Sequence, residues 1–301
     1  MSSNPEQMRM QARMAKGQAM KEEDKLFRYK GVLYPTIMSP LENLKAMEHL
    51  GARHDDVMLA AYPKSGFNWM TAVVQKIMAV STGGEVRWGH PHIEFFDPEA
   101  QQLLSQVPSP RFLGTHMHPD NMPPSFAAKK TKMLVIIRNP KDTAVSFYHF
   151  SVKDPVLPTP ESWDVFFSGF MSGDVPWGSY FDHALAWEKR IEDPNVMIVT
   201  YAEMKEDLSK GVQQISQFFG FPLSKEQIQT IAEDSTFSSM KEKSQVSHGI
   251  LASSIIFRKG EVGDWKNHFS EAQSRMMDAE FEKRLAGTKL GAKLKYDLYC
   301  K

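Results

Sequence analysis

The sequence has a single cysteine, no long apolar run and no excess of charge of either sign. Cys300 is the only thiol, so no intrachain disulfide forms and a disulfide-stabilised secreted protein is excluded. The 36 Lys and Arg residues equal the 36 Asp and Glu residues, which argues against a nucleic-acid partner because such affinity needs a basic excess. The apolar runs, such as Met133 to Ile137, are far shorter than the about 18 residues that cross a membrane. We therefore expect no membrane partner.

The N-terminal segment, residues 1–24, lacks the apolar core of a signal peptide and is rich in Met, Gln, Lys and Glu. Its basic residues are typical of a transit peptide, but the acidic cluster Glu22-Glu23-Asp24 is not. We expect residues 1–24 to be a flexible tail or a surface helix, residues 25–301 to form one domain, and the protein to be cytoplasmic.

Four short runs are apolar at consecutive positions, which is typical of strands covered on both faces. They lie at residues 57–62, 111–114, 133–137 and 196–200. Apolar residues recur at helical spacing in residues 69–80, 142–150, 180–191, 208–219 and 225–233. This alternation predicts an α/β fold with a parallel sheet between helices, in which ligands bind at the carboxyl ends of the strands.

The first candidate loop is Tyr-Pro-Lys-Ser-Gly-Phe-Asn-Trp at residues 62–69, between a predicted strand and a predicted helix. Gly66 lets the backbone approach a ligand, and the first N–H groups of the helix point outward unpaired. Lys64 adds a cation, so the loop suits a phosphate. The residue order differs from a Walker A loop, which disfavours a nucleoside triphosphatase. The alternative is a plain turn with a solvated lysine.

The second candidate loop begins at Arg138, which ends the most apolar run. A charge there is costly unless it meets a partner at the sheet edge. Asn139 and Pro140 interrupt the chain, and Ser146 lies about one turn into the next predicted helix. A guanidinium donates two parallel hydrogen bonds to a phosphate, and the Ser146 hydroxyl is placed to join it. The alternative is a structural ion pair between Arg138 and Asp142.

Three motifs together resemble the cytosolic sulfotransferase family. They are Lys-Ser-Gly at residues 64–66, Arg-Asn-Pro-Lys-Asp-x-Ala-Val-Ser-x-Tyr-His at residues 138–149, and Arg-Lys-Gly-x-x-Gly-Asp-Trp-Lys at residues 258–266. Their order and spacing match the family over about residues 40–300, and Asn68 before Trp69 is most similar to the sulfotransferase 6B subfamily. The resemblance implies a single α/β domain of the P-loop-kinase-like sulfotransferase fold.

The resemblance also implies that the chain uses 3′-phosphoadenosine-5′-phosphosulfate (PAPS), releases 3′,5′-bisphosphoadenosine (PAP) and needs no metal ion. The matching positions are Lys64, Ser65, Gly66, Phe67, Asn68 and Trp69 for the 5′-phosphosulfate; Arg138, Ser146, Arg258, Lys259 and Gly260 for the 3′-phosphate; and Tyr201, Ser235 and Phe237 around the adenosine. For Arg258 and Lys259 the alternative is a solvated basic loop.

Catalysis is assigned by the resemblance to His116 and Lys64. The essential histidine of the family follows a strand in a Lys-Thr-His segment, which Thr115-His116 matches, and His118 is a nearby competitor. His116 would take the proton of the acceptor hydroxyl as general base, while Lys64 would stabilise charge on the leaving oxygen. Without the resemblance, a lone histidine is more often structural.

Three positions depart from the family pattern. Family members have two threonines where this chain has Phe67 and Asn68, so hydroxyl donors to the 5′-phosphate are lost. The lysine that lies two residues before the family's histidine is Gly114 here, which removes a cation. Because the base and the 3′-phosphate clamp remain, we expect these changes to affect the rate or the acceptor.

The acceptor implied by the resemblance is a small hydrophobic molecule with a hydroxyl group. Residues 88–96, 147–150 and 249–257 are rich in aromatic and apolar side chains, which suit a flat acceptor and equally suit core packing. We predict a phenol, including thyroid-hormone-like phenols, with alcohols and steroids as alternatives. Residues 266–275 match the dimer segment of the family only in part, so a homodimer through them is an open expectation.

Two other functions stay open. The first is a relative that binds PAPS or PAP with little or no turnover, which the losses at Phe67 and Gly114 suggest and the retained His116 argues against. The second is an ATP-dependent nucleoside kinase, which the residue order of the first loop disfavours.

Overall fold

Short segments with consecutive apolar residues form the central sheet of the protein, as the sequence predicts. The computed structural model describes residues 5–84, 91–248, 255 and 258–301. Its strands are β1 Leu26–Tyr29, β2 Val32–Pro35, β3 Val57–Ala61, β4 Phe112–Thr115, β5 Lys132–Ile137 and β6 Val196–Thr200. The last four form a parallel sheet in the order β4-β3-β5-β6. The four predicted strands and the parallel α/β architecture are therefore confirmed.

The helices cover both faces of this sheet, and the five predicted helices are among them. They are α1 Pro5–Ala19, α2 Leu41–Met47, α3 Phe67–Thr82, α4 Pro98–Leu103, α5 Pro124–Ala128, α6 Pro140–Lys153, α7 Trp163–Ser172, α8 Tyr180–Glu188, α9 Tyr201–Glu206, α10 Leu208–Phe219, α11 Lys225–Glu233, α12 Phe237–His248, α13 Glu271–Arg284, α14 Lys289–Lys293 and α15 Tyr296–Tyr299. None of the helices in the described ranges combines the length and the apolarity that crossing a bilayer requires.

Strand β5 shows how the core divides into two layers. Leu134 and Ile136 pack in one buried cluster with side chains of α3 and α10, whereas Val135 and Ile137 pack in the other with side chains of α6 and α8. Successive side chains of a strand point to opposite faces, so a strand that is apolar throughout is buried on both sides.

Strands β1 and β2 form an antiparallel hairpin that the sequence did not predict. Its turn at Lys30-Gly31 has positive φ at both residues, 46° and 80°, which is the geometry that favours glycine in a tight hairpin. Each strand has only four residues, and Arg28 is the one charged residue in the two strands, so they show no alternation of polar and apolar side chains. The hairpin places Tyr34, which is fully buried, in the core.

Helix α1 lies within the N-terminal segment for which a tail or a surface helix was expected. Gly17 is buried there, and a Cβ at this position would lie 2.6 Å from the carbonyl oxygen of Pro155. The helix therefore packs closely on the chain that follows α6. The division of the chain at residue 24 stays a prediction.

Candidate active site

The four parallel strands end at one edge of the sheet, and a candidate residue follows each of them. The loop with Lys64 follows β3, His116 follows β4, Arg138 follows β5 and Tyr201 follows β6. All four residues line one cleft of about 1300 Å³. The parallel pairing thus brings together side chains that are far apart in the sequence.

Most of the predicted site residues line this cleft, and two lie behind its wall. The lining residues are Lys64, Gly66, Phe67, Asn68, Trp69, His116, Arg138, Ser146, Tyr201, Phe237, Arg258, Lys259 and Gly260. Ser65 is fully buried, and its Oγ has no hydrogen-bond partner among the described residues. Ser235 supports the wall, because its carbonyl oxygen accepts from Trp69 Nε1 at 2.7 Å and its Oγ accepts from Lys76 Nζ at 2.8 Å.

The first loop is shaped by two residues with left-handed backbone. Lys64 has φ 67° and Gly66, the N-cap of α3, has φ 114°. A Cβ at Gly66 would lie 2.9 Å from both Ile136 and Tyr201, so glycine is required for close packing as well as for φ. The first amides of α3 have no partner one turn earlier in the helix. The loop therefore presents N–H donors at a helix N-terminus, as anion-binding loops do.

Lys64 lies in a strongly positive environment. Burial lowers its pKa to about 7, and the charges of Arg138 and Arg258 act in the same direction. The Nζ atom lies 4.2 Å from the ring centroid of Phe150. The Nε atoms of both arginines are buried and lack a hydrogen-bond partner among the described residues. Buried donors without acceptors and several cations in one cleft fit an anionic ligand such as PAPS.

Arg138 is held in place by its neighbours without an ion pair to Asp142. The guanidinium lies 4.4 Å from the ring centroid of Tyr201, and one of its NH₂ groups donates to the carbonyl of Glu261 at 2.6 Å. The carboxylate of Asp142 accepts from the backbone N–H groups of Gly263 (2.8 Å) and Trp265 (3.2 Å). The structural ion pair considered as the alternative is therefore not the arrangement found.

The basic loop at residues 258–260 is anchored by an aspartate that the sequence analysis did not single out. Asp264 accepts a hydrogen bond from Lys259 Nζ at 2.5 Å and forms an ion pair with Arg258 at 2.6 Å. Burial alone would raise the pKa of this carboxyl, but the hydrogen bonds from Lys259, Asn267 and Arg258 hold it below its usual range. Gly260 has φ 72°, and a Cβ there would lie 2.2 Å from Phe237. The loop is thus built into the cleft wall.

The imidazole of His116 has a defined tautomer. Its Nδ1 lies 2.8 Å from the carbonyl oxygen of Ala61, and its backbone N–H donates to Glu94 Oε1 at 2.7 Å. A carbonyl oxygen only accepts, so Nδ1 carries the proton and the lone pair of the neutral ring is on Nε2. Burial lowers the pKa of His116 to about 4. The hydrogen bond to Ala61 acts against this shift, whereas the charge of Lys64 acts in the same direction as burial. The ring is therefore neutral near pH 7.

The competing histidine, His118, has a different environment. Its Nδ1 accepts from the backbone N–H of Asp120 at 3.2 Å. This contact caps the short helix Pro119–Asn121. A histidine that closes a turn in this way has a structural role, which favours His116 as the base.

Glu94 is a site residue that sequence reasoning missed. It is fully buried, and burial raises its pKa to about 7 although the His116 N–H acts in the opposite direction. The carboxyl group fixes the backbone next to the candidate base. The available signal was an acidic residue inside the aromatic stretch 88–96.

The two unusual residues Phe67 and Gly114 are in contact. A Cβ at Gly114 would lie 2.4 Å from Phe67 Cζ and 3.3 Å from Pro91. The phenyl ring therefore takes the space that a side chain at position 114 would need. In this chain the phenyl ring at position 67 and the missing side chain at position 114 are therefore parts of one packing arrangement.

This coupling predicts the stability of a simple pair of variants. Gly114→Ala should destabilise the fold by about 1–3 kcal/mol, as overpacking in a core does, and Phe67→Ala should largely remove that penalty. Urea unfolding of both single variants and the double variant measures the coupling. Equal effects of Gly114→Ala with and without Phe67 would contradict it.

The rest of the cleft suits a hydrophobic acceptor. Its apolar lining includes Met14, Met38, Phe95, Phe96, Phe150, Val156, Leu157 and Trp177. Phe147, from the predicted acceptor stretch 147–150, instead lies fully buried against Tyr62. Residues 88–90, and residues 249–257 apart from Ile255, lie outside the described residues.

Comparison with known proteins agrees with this geometry. Residues 54–289 match the family model described as the sulfotransferase domain. The chain belongs to the sulfotransferase family, and the predictions of the fold class and of a PAPS-dependent sulfotransferase are confirmed.

The chain is also similar to individual members of the family. Sulfotransferase 6B1 of Danio rerio is 60% identical over 97% of this chain and 99% of that protein. Sulfotransferase 6B1 of Homo sapiens is 48% identical over 91% of this chain and 90% of that protein. The crystal structure of mouse sulfotransferase SULT7A1 complexed with PAP has a TM-score of 0.80 and 36% identity, and the match covers 90% of this chain and 98% of the mouse chain. The predicted likeness to the 6B subfamily is therefore confirmed.

Proposed function

We propose that the protein transfers the sulfuryl group of PAPS to the hydroxyl of a small hydrophobic acceptor, with His116 as general base. The observation that supports this most directly is the tautomer of His116. Its Nδ1–H donates to Ala61, which leaves Nε2 to receive a proton in the cleft that Lys64 also lines. A base within hydrogen-bond reach of the acceptor is the geometric requirement for general base catalysis.

The residues proposed to hold the donor fall into three groups, in line with the resemblance. They are Lys64, Ser65, Gly66, Phe67, Asn68 and Trp69 for the 5′-phosphosulfate; Arg138, Ser146, Arg258, Lys259 and Gly260 for the 3′-phosphate; and Tyr201, Ser235 and Phe237 around the adenosine. When bound, PAPS supplies the sulfuryl group and leaves as PAP. Arg138 and Arg258 face this cleft, and their Nε atoms lack a hydrogen-bond partner among the described residues, which supports a 3′-phosphate ligand there.

His116 and Lys64 have separate roles, one in accepting a proton and the other in stabilising negative charge. His116 takes the acceptor proton at Nε2 as the acceptor oxygen becomes nucleophilic. Lys64 places its cation in the same cleft, where it stabilises negative charge more strongly than it would in water. The rings of Phe67 and Trp177 pack against the ring of His116, with centroid distances of 4.8 Å and 5.4 Å, and so limit the access of water to the base.

The pKa of Lys64 predicts a pH dependence of ligand binding. Its free-state pKa of about 7 should rise when the anion PAP binds beside it, so binding takes up a proton. Affinity for PAP should therefore weaken as the pH rises from about 7 to 9, by up to about tenfold per unit. Isothermal titration calorimetry across this range measures the slope. Lys64→Met should bind more weakly with a flat profile, and an unchanged slope would assign the proton to another group.

The acceptor is proposed to be a phenol, including thyroid-hormone-like phenols, with alcohols and steroids as the alternatives. Transfer of ³⁵S-sulfate from PAPS across a panel of these acceptors tests the proposal, with and without a metal chelator. We expect turnover with at least one acceptor and no effect of the chelator. PAP binding without transfer to any acceptor would instead support a nucleotide-binding relative with little turnover.

The assembly and location of the protein are also proposals. A homodimer through residues 266–275 stays an open proposal, since these residues match the dimer segment of the family only in part. A cytoplasmic location and the lack of metal, nucleic-acid and membrane partners likewise stay predictions from the sequence.

A further inference from the structure

His92 makes an unusual contact with the candidate base. Its buried ring lies between two phenyl rings, with the centroid of Phe67 at 4.1 Å and that of Phe95 at 4.4 Å, both nearly parallel to it. Its Nε2 lies 3.1 Å from the Nε2 of His116. Two imidazole nitrogens at this distance share one proton, because one must donate and the other must accept.

The direction of this hydrogen bond follows from the other side of the His116 ring. Nδ1 of His116 carries a proton because it faces the carbonyl of Ala61. In the neutral ring Nε2 is therefore the acceptor, and His92 must donate its own Nε2–H. The lone pair that would receive the acceptor's proton is thus already hydrogen-bonded to His92.

His92 is not needed to orient the base. The ring of His116 is fixed by its bond to Ala61 at 2.8 Å, and its backbone is fixed by Glu94 at 2.7 Å. The contact with His92 adds a third restraint, on Nε2 of His116, which is the atom that must accept the proton of the acceptor hydroxyl. The parallel rings on both sides of His92 resist tilting but leave movement within the plane of the ring, which is the movement that releases Nε2 of His116.

We propose that His92 caps the base in the acceptor-free enzyme, so that the acceptor hydroxyl must replace the His92 N–H on Nε2 of His116 before transfer. This inference rests on the proposed role of His116 as general base. It makes His92 a residue that acts through His116 and sets how tightly any acceptor engages the base. Phe67, which replaces a threonine of the family, supplies one face of the stack that holds His92.

The variant that tests the cap is His92→Phe, which keeps a ring between Phe67 and Phe95 and removes the donor. Without competition from an N–H, the acceptor KM should fall about 2- to 10-fold, the value of one neutral hydrogen bond. The gain should be similar for a phenol, a naphthol and a primary alcohol, because it arises at the base and not at the body of the acceptor.

A second readout is the acid limb of the kcat/KM profile. The titratable groups around His116 are His92, Lys64, Glu94 and His183. The His92 N–H stabilises neutral His116, so its loss should move the limb to higher pH. The control Phe95→Leu loosens the stack but keeps the donor, and it should leave the limb in place. An unmoved limb in His92→Phe, or a KM that is unchanged or higher for all three acceptors, would overturn the proposal.

Imidazole ¹⁵N NMR of the full chain tests the pairing without turnover. Signals assigned with His92→Phe and His116→Ala should show the proton of His92 on Nε2 and that of His116 on Nδ1. A proton on Nδ1 of His92 with none on Nε2 would refute the cap. PAP binding with the expected tautomers but no transfer to any acceptor would instead refute the proposed function and leave the pairing established.

Discussion

Replacing His116 by alanine should lower kcat for sulfuryl transfer about 100- to 10,000-fold, the usual contribution of a positioned general base. The affinity for PAP should stay within about threefold of the wild type, because the candidate contacts to the nucleotide come from other loops. Steady-state transfer at saturating PAPS and calorimetric titration with PAP measure the two quantities. The matched control is His118→Ala, which removes a neighbouring imidazole that caps a turn and should leave kcat within about threefold.

The pH dependence of the wild type follows from the same residue. With a pKa of about 4, His116 is neutral over the physiological range, and only the neutral ring accepts a proton. The kcat/KM value should therefore fall as the pH decreases toward about 4 and not near the ordinary histidine pKa. Equal losses of kcat in the His116→Ala and His118→Ala variants would show that His116 is not the general base.

The second large effect is expected from Arg138→Ala, which should weaken PAP binding by about 10- to 100-fold or more. The guanidinium lies over Tyr201, and its Nε is buried without a partner among the described residues, so it is placed to make two or three charge-assisted hydrogen bonds to a phosphate. Calorimetry without metal measures the change. Arg138→Lys should recover only part of the affinity, since an ammonium cannot donate in the bidentate geometry of a guanidinium.

Two controls separate binding from folding in this experiment. Arg28→Ala removes a surface arginine that is 53% exposed and pairs with Asp174, and it should not change the affinity for PAP. Arg138 also donates to the carbonyl of Glu261, so urea unfolding of the Arg138 variants reports any loss of stability. A folded Arg138→Ala protein with wild-type affinity would rule out Arg138 as a phosphate ligand.

The architecture was largely predictable because its signals are local. Runs that are apolar at every position identified all four strands of the sheet, and parallel pairing then required the loops after them to meet at one edge. Lys64, His116 and Arg138 could therefore be assigned to one cleft before their contacts were known. The hairpin of β1 and β2 escaped prediction because strands of four residues are too short to show a clear period.

Motif matching identified the positions of candidate site residues but not the interactions between their side chains. Asp264 lies inside a quoted motif, yet its role in holding Arg258 and Lys259 depends on a turn that residue spacing does not describe. Glu94 likewise reaches the backbone of His116 only because the chain before β4 folds over the end of that strand. In both cases the partner is defined by the path of the backbone in three dimensions.

Sequence alone was sufficient for the fold class, the family and most of the residues that line the cleft, because the apolar runs and the order of the motifs are properties of the linear chain. It suggested that Phe67 and Gly114 were two separate losses, and only the packed structure showed one ring filling the space of the other residue. The same holds for His92, whose contact with His116 joins side chains 24 positions apart. Such pairings are decided by side-chain packing between neighbouring elements, and local patterns do not encode which atoms meet.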